Sequence, residues 1–464
     1  MLFSSIPFLY YFLPIVLLLY IVSPKPLKNT ALLISSLVFY AWGEPKYVFL
    51  MIATVGLGYI FGLLIEKFRS SVWSKVFLVL SVASSLSALI YFKYVDFFIS
   101  NFNRVTGLSL PLLKVVMPIG ISFYTFQILS YTVDVFRGTK AQKNPINLAT
   151  YIALFPQLIA GPIVRYTDIE TQLTERTHTF QKTWDGIRRF IIGLSKKIII
   201  ANSLGELADQ FMASGDKSVM FSWLFAICYS LQIYFDFSGY SDMAIGLGKF
   251  FGFDFMENFN YPYISKSITE FWRRWHISLG TWFRDYVYIP LGGNRAGKSR
   301  LLFNIFAVWF LTGFWHGAEW NFIIWGLFFG VFLVIEKLFL LKHLEKRKAL
   351  GHIYVLFLVV ISFAIFSANN LEGALTTVGG MFGINMPFVS AEFMYYLRNY
   401  GFVILIASIA ATPLPKMLLT RLSGNKVFSN VWQIAEVAIL AILLLVSTAF
   451  LADGSFNPFL YFRF

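Results

Sequence analysis

Apolar runs separated by short polar, mostly basic segments organise the chain from end to end. A helix needs about 20 apolar residues to cross a hydrocarbon core of about 30 Å. Runs approaching that length lie near 6–23, 30–43, 46–65, 76–92, 115–135, 188–206, 220–236, 301–315, 320–336, 352–369, 394–412 and 431–451. The pattern predicts an all-α polytopic membrane protein with about 11–12 transmembrane helices. The first run lacks a basic leader and exceeds a signal h-region, so it reads as a retained helix. Basic segments sit at Lys25 and Lys28, and within 67–75, 137–143, 182–189, 266–300, 337–348 and 416–426. With these spans all of them fall on one side, which the positive-inside rule makes cytoplasmic, leaving both termini outside.

Two regions resist reading as crossings. Residues 145–187 begin PINLATYIALFPQLIAGPIVRY, too short and too interrupted by Pro and Gly to span, and residues 237–300 are semi-polar and aromatic. Irregular backbone survives at membrane depth only where protein buries it or where it lines a cavity. Re-entrant and interfacial helices around a central polar cavity are therefore expected. The chain reads as one membrane domain, 1–464, with N-terminal helices over 1–144, a core over 145–338 and C-terminal helices over 352–464. No repeat with a period of about 20 to 50 residues is present.

Composition strengthens this picture. Hydrophobic residues make up 57% and charged residues 13%, against about 45–50% and 25% in soluble proteins, which excludes a soluble globule. The net charge of 38 − 24 = +14 comes from short runs between apolar stretches rather than one basic face, which argues against nucleic acid as a partner and for membrane lipid. Cys228 is the single cysteine and lies in an apolar run, so neither a disulfide framework nor a cysteine zinc site is expected. No H-E-x-x-H spacing suggests a metal, and no G-x-S-x-G suggests a serine hydrolase.

Candidate chemistry concentrates in the core. From Thr269 the sequence reads TEFWRRWHISLGTWFRDYVYIPLGGNR. At 100° per residue Ile268, Phe271, Trp272, Trp275, Leu279, Trp282, Phe283 and Tyr286 form one apolar stripe, with Arg273, Gly280 and Arg284 opposite. This predicts one amphipathic interfacial helix, with His276 at the edge of the stripe. An interfacial histidine can simply orient such a helix. His316 differs, because between 301 and 335 the only formally charged side chain is Glu319, and ionisable groups at membrane depth are functional by default. Gly313 and Gly317 beside it permit close approach of another backbone or of a substrate. His178, His343 and His352 read as solvated loop residues. Asp236, Ser238, Tyr240 and Asp242 sit just past a span, to be paired with Arg273, Arg274 or Arg284 or to line a polar cavity, which Gln157, Pro162 and Arg165 help to shape. Gly292 to Ser299, GGNRAGKS, satisfies the phosphate-loop spacing, but without a strand before it that motif lacks its setting. Contact with the phosphates of a donor remains open to it.

Four ordered stretches, FPQLIAGPIVRY from Phe155, DFSGYSDMAIG from Asp236, FWRRWHISLGTWFRDYVYIPLGGNR from Phe271 and WHGAEWNFIIWG from Trp315, together resemble the membrane-bound O-acyltransferases, in particular the alginate O-acetyltransferase branch. The opening 20 residues and the ending FNPFLYFRF from Phe456 are similar as well. The resemblance implies that His316 is the principal catalytic histidine and His276 the second, as in the branch that transfers D-alanine to teichoic acid. Trp315, Glu319 and Asn321 of the last motif, and Trp272, Arg273 and Arg284 of the third, are further candidates for substrate or cavity-lining residues. No cofactor is held permanently; acetyl-CoA is the implied donor. An exported polysaccharide is the implied acceptor, reached directly or through an extracytoplasmic partner, from the bacterial cytoplasmic (inner) membrane. In the expected mechanism His316 takes the proton of the attacking hydroxyl, worth about 10²- to 10⁴-fold, while His276 orients the acceptor or stabilises developing charge. Indole N–H groups are candidate oxyanion donors. D-alanyl transfer from a carrier protein and proton-coupled transport are the competing readings.

Overall fold

The computed structural model describes residues 1–295, 297–454, 457 and 460. All regular structure among them is helical. Among the described residues, seven helices are long and apolar enough to cross a membrane: Tyr47–Lys67, Val72–Thr106, Val219–Phe250, Trp320–Lys346, Lys348–Ser367, Ala391–Ala410 and Phe428–Ala452. Phe8–Val22 is a shorter apolar helix. Other expected spans are helical but shorter or more polar. Lys28–Gly43 and Ile121–Arg137 run 16 and 17 residues, and Gly297–His316 carries Asn304, Thr312 and its terminal histidine on its buried side.

The chain forms two compact units, Met1–Phe190 with Met243–Met256, and Ile191–Asp242 with Glu257–Phe464. In the first, Phe3, Phe8, Phe12, Phe39 and Phe155 form a nest of rings with centroids 4.8–6.3 Å apart. Residues 147–164 are almost wholly buried as the short helices Pro145–Ala153 and Phe155–Leu158 and the turn after them. Non-spanning backbone enclosed by protein is what the Pro/Gly-interrupted sequence required.

The second unit holds both singled-out histidines. Its core gathers Ile268, Phe271, Trp275, Phe322, Trp325, Phe329, Val355 and Phe363. The helices Gly297–His316 and Trp320–Ile335 pack as a tight hairpin. A Cβ on Gly313 would lie 3.2 Å from Gly326 Cα and closer still to the Phe322 carbonyl. Gly313 therefore admits another backbone, which decides between the two uses expected for it. Val219–Phe250 is one 32-residue helix, so Asp236, Ser238, Tyr240 and Asp242 lie inside a span rather than beyond one. Their carboxylates pair with lysines, not with the arginines expected: Asp236 Oδ1 is 2.7 Å from Lys197 Nζ, both nearly inaccessible, and Asp242 Oδ2 is 2.7 Å from Lys196 Nζ. The arginines have nearer carboxylates, Glu270 for Arg274 and Asp285 for Arg284. Leu460 N–H also donates to Asp236 Oδ2. The rest of FNPFLYFRF, apart from Asn457, lies outside the described residues.

Candidate functional site

The expected amphipathic helix is broken. Ile268–Arg274 and Ile277–Phe283 are separate seven-residue helices, and between them His276 takes φ 46°, ψ 52°. That left-handed conformation is costly for a residue with a Cβ and persists only when its surroundings fix it. Here two backbone bonds fix it: Asn260 N–H donates to Arg274 O at 2.9 Å and Ile277 N–H to Asn258 O at 3.0 Å. The first short helix is anchored by the Ser267 cap and by the buried Glu336 carboxylate, which accepts from Thr269 N–H at 2.9 Å and Thr269 Oγ1–H at 2.7 Å. A carboxylate there also complements the positive end of the helix. The apolar stripe survives the break: Ile268, Phe271, Trp275, Leu279, Trp282 and Phe283 are buried, while Arg273, Gly280 and Arg284 are exposed.

The kink turns His276 inward. Its ring is buried, only 2% exposed, and meets Phe237 edge to face at 4.7 Å. Nδ1 lies 3.1 Å from Asn258 Oδ1 and 3.4 Å from Ser278 Oγ. Burial pushes its pKa down to about 3, so the ring is neutral at physiological pH.

His316 is the last residue of Gly297–His316 and is also buried. Aromatic rings wall it: Trp315 at 4.9 Å, Trp325 at 5.1 Å and Phe366 at 5.3 Å between centroids. Trp315 is the link between the histidines, since its ring also lies 6.2 Å from that of His276. Forty residues apart in sequence, the two imidazoles flank one indole. Carbonyls at a helix C-terminus favour a cation by roughly 0.3–2 kcal/mol, so an imidazolium formed at His316 is stabilised by its own helix.

A cavity of about 590 Å³ opens beside His276, and Trp272, Arg273, Arg284, Tyr288, Trp309 and Thr312 are among its lining residues, none of which is acidic. His316 is not among its lining residues. Two buried indole N–H groups, Trp272 Nε1 and Trp325 Nε1, find no hydrogen-bond partner among the described residues. Leaving such a donor unmade costs about 1–3 kcal/mol; Trp272 lines the cavity, where its N–H suits a polar guest, and Trp325 packs against His316 instead. The basic loop is tied to the same wall, because Tyr288 O–H donates to Asn294 Oδ1 at 2.7 Å and Lys337 Nζ donates to the same atom at 2.6 Å. No strand precedes GGNRAGKS among the described residues, and Ala296 within it lies outside them, so the phosphate-loop setting is missing. No group of three His, Cys, Asp or Glu that could hold a metal occurs among the described residues.

Other expected residues divide clearly. Trp315 and Trp272 take part as described. Asn321 is fully buried, but its Nδ2 donates to Ala368 O at 2.9 Å, tying two helices together. Glu319 is exposed, at the start of Trp320–Ile335. Ser238 and Tyr240 are buried along the long helix. Gln157 belongs to the first unit, where its amide donates to the Tyr151 carbonyl, and Arg165 there pairs with Asp168 at 2.8 Å. His178 Nε2 lies 3.0 Å from the Tyr20 hydroxyl, while His343 and His352 contact the carbonyls of Phe339 and Ser265 at 3.1 Å each. The sequence reading missed Asn258, Ser278 and Phe237, uncharged residues with no local signal beyond a semi-polar setting.

Comparison with known proteins identifies the family. The sequence profile of the MBOAT, membrane-bound O-acyltransferase, family matches residues 81–374. The chain is 40% identical to a probable alginate O-acetylase AlgI of Azotobacter vinelandii, over the full length of both. It is 32% identical to a peptidoglycan O-acetyltransferase of Helicobacter pylori, over all of this chain and 98% of that one. A teichoic acid D-alanyltransferase of Bacillus subtilis is 31% identical over 48% of this chain and 59% of its own. With these relatives and its long apolar helices, this protein is a multi-pass membrane O-acyltransferase that belongs to the MBOAT family.

Proposed function

We propose that the enzyme moves an acetyl group from cytoplasmic acetyl-CoA to a hydroxyl of an exported polysaccharide, or to an extracytoplasmic partner that acetylates it, from the bacterial inner membrane. The observation that carries this reading is the pair of buried imidazoles flanking Trp315, one of which, His276, lines a cavity rimmed by Arg273 and Arg284. The two arginines and the basic loop suit the phosphates of a donor, and the aromatic wall suits its apolar arm.

His316 accepts the hydroxyl proton as the oxygen attacks the thioester carbonyl carbon. The C–S bond then breaks, and the proton passes on to the departing thiolate. The helix C-terminus favours the imidazolium in between. His276, held neutral, orients the acceptor. The unpartnered N–H groups of Trp272 and Trp325 are the donors available for the oxyanion. An acetyl acceptor of polysaccharide type is supported by the relatives named for alginate and peptidoglycan, which the chain matches end to end, whereas the D-alanyltransferase matches only about half of it.

The test is the acetyl content of cell-surface polymer in strains carrying wild type or His316→Ala at equal membrane level. Loss of acetylation with normal insertion is expected; normal acetylation would refute the reading. Capture of an acyl carrier protein with D-alanine transfer would replace it with the competing one.

A further inference from the structure

Asn258 lies outside every motif considered above, yet it is 1% exposed and touches each part of the kink. Its carbonyl holds Ile277 N–H. Its side-chain Oδ1 accepts from Ser278 N–H at 3.3 Å and from Ser278 Oγ–H at 2.9 Å, and faces His276 Nδ1 at 3.1 Å. Its Nδ2 donates to Ser241 Oγ at 3.0 Å.

Shape alone does not distinguish the oxygen of an amide from its nitrogen, so the hydrogen-bond network must. A backbone N–H can only donate. The Asn258 atom facing Ser278 N–H is therefore the oxygen, and that same oxygen faces Nδ1 of His276. Two acceptors do not share a hydrogen bond, so Nδ1 carries the proton and Nε2 carries the lone pair. Ser278 agrees, because its hydroxyl proton goes to Asn258 and only lone pairs remain towards Nδ1.

We infer that Asn258 is a positioning residue that fixes His276 as the Nδ1–H tautomer, so that Nε2 is the nitrogen offered to a hydroxyl of the acceptor. What Nε2 meets rests on the acyltransfer reading; the tautomer does not. The pattern is a base oriented by a third group, with an amide in the place of the usual carboxylate. An amide leaves the imidazole neutral, where a carboxylate would favour the imidazolium. This matches a ring that accepts a hydrogen bond from a second hydroxyl of the acceptor while His316 takes the proton of the attacking one.

The test is ¹⁵N NMR of the full-length enzyme in lipid bilayers with labelled histidine, the His276 signals being those lost in His276→Gln. The wild type is expected to show protonated Nδ1 and unprotonated Nε2. Asn258→Asp keeps both acceptor contacts and should keep that tautomer, while imidazolium appears at higher pH and the acid limb of transfer moves up with it. Asn258→Ala should give a mixed or reversed tautomer, with kcat lower by about tenfold or more and KM little changed, as expected for a misplaced group. A wild-type spectrum with the proton on Nε2 overturns the assignment, as does Asn258→Ala with unchanged spectrum and turnover. The spectrum needs no substrate, so an enzyme with the expected tautomer but no acyl transfer would leave the assignment standing and remove the reading of the reaction.

Discussion

His276 and His316 share a tryptophan but are held by opposite means. His276 sits on a strained backbone and is gripped through Nδ1 by Asn258 and Ser278, so its proton has one place to be. His316 ends a 20-residue helix, whose carbonyls lie beside it, and is enclosed by the rings of Trp315, Trp325 and Phe366. A helix end favours the imidazolium that a proton carrier must pass through, whereas an amide grip holds a ring neutral and in one orientation. The difference teaches that two imidazoles in one site need not share one task.

The sharpest way to break this division is to remove each ring in turn. His316→Ala should lower transfer by about 10²- to 10⁴-fold with membrane level unchanged, measured as acetyl incorporated per enzyme; equal loss from both histidines would erase the distinction. His276→Asn, which tolerates the left-handed backbone, should cost less, on the order of 10²-fold, seen in kcat at saturating donor.

Next come the supports beneath His276. Lys197→Ala leaves Asp236 buried without its cation, and Asp236 adjoins Phe237, the ring packed on His276. Loss of about 3–5 kcal/mol is expected for such a change, against at most about 1 kcal/mol for the more exposed Lys196–Asp242 pair. Thermal unfolding in detergent would compare Lys197→Ala with Lys196→Ala, and equal midpoints would show that burial is not what matters.

Smaller effects follow from the cavity rim and from pH. Arg273→Ala should raise the KM for the thioester donor by up to about fivefold with kcat preserved, and added salt should shrink the difference. Because burial lowers the pKa of His276 to about 3, no ionisation of this ring should appear in the rate between about pH 5 and 8. Any acid limb there should survive in the residual activity of His276→Asn. For folding the sign is fixed as well: the unfolded chain binds this proton below about pH 6.5 and the native state does not, so this group weakens stability as pH falls.

Much of this was legible in the sequence. The apolar runs marked an all-helical membrane chain, and of the stripe at 268–286 all but the half-buried Trp272 and Tyr286 are buried. Composition and long motifs also separated His276 and His316 from His178, His343 and His352. What stayed hidden was long-range. Neither Pro nor Gly marks Trp275–His276 as a break, because backbone bonds from residues 258 and 260 impose it. Lys196 and Lys197 stand some forty residues before their partners, on another helix, so written proximity pointed to the wrong cations. Asn258 carries no charge and belongs to no periodic pattern; only the fold brings its amide under the imidazole.

The left-handed turn at residue 276 also limits how this enzyme can vary. Any replacement must first satisfy φ near +46°, which Gly, Asn and Asp reach easily and β-branched side chains do not. In a saturation library at this codon, backbone fitness would thus be sorted ahead of chemistry: Val, Ile and Thr clones drop out as poorly expressed, and only the surviving few report on what the imidazole does.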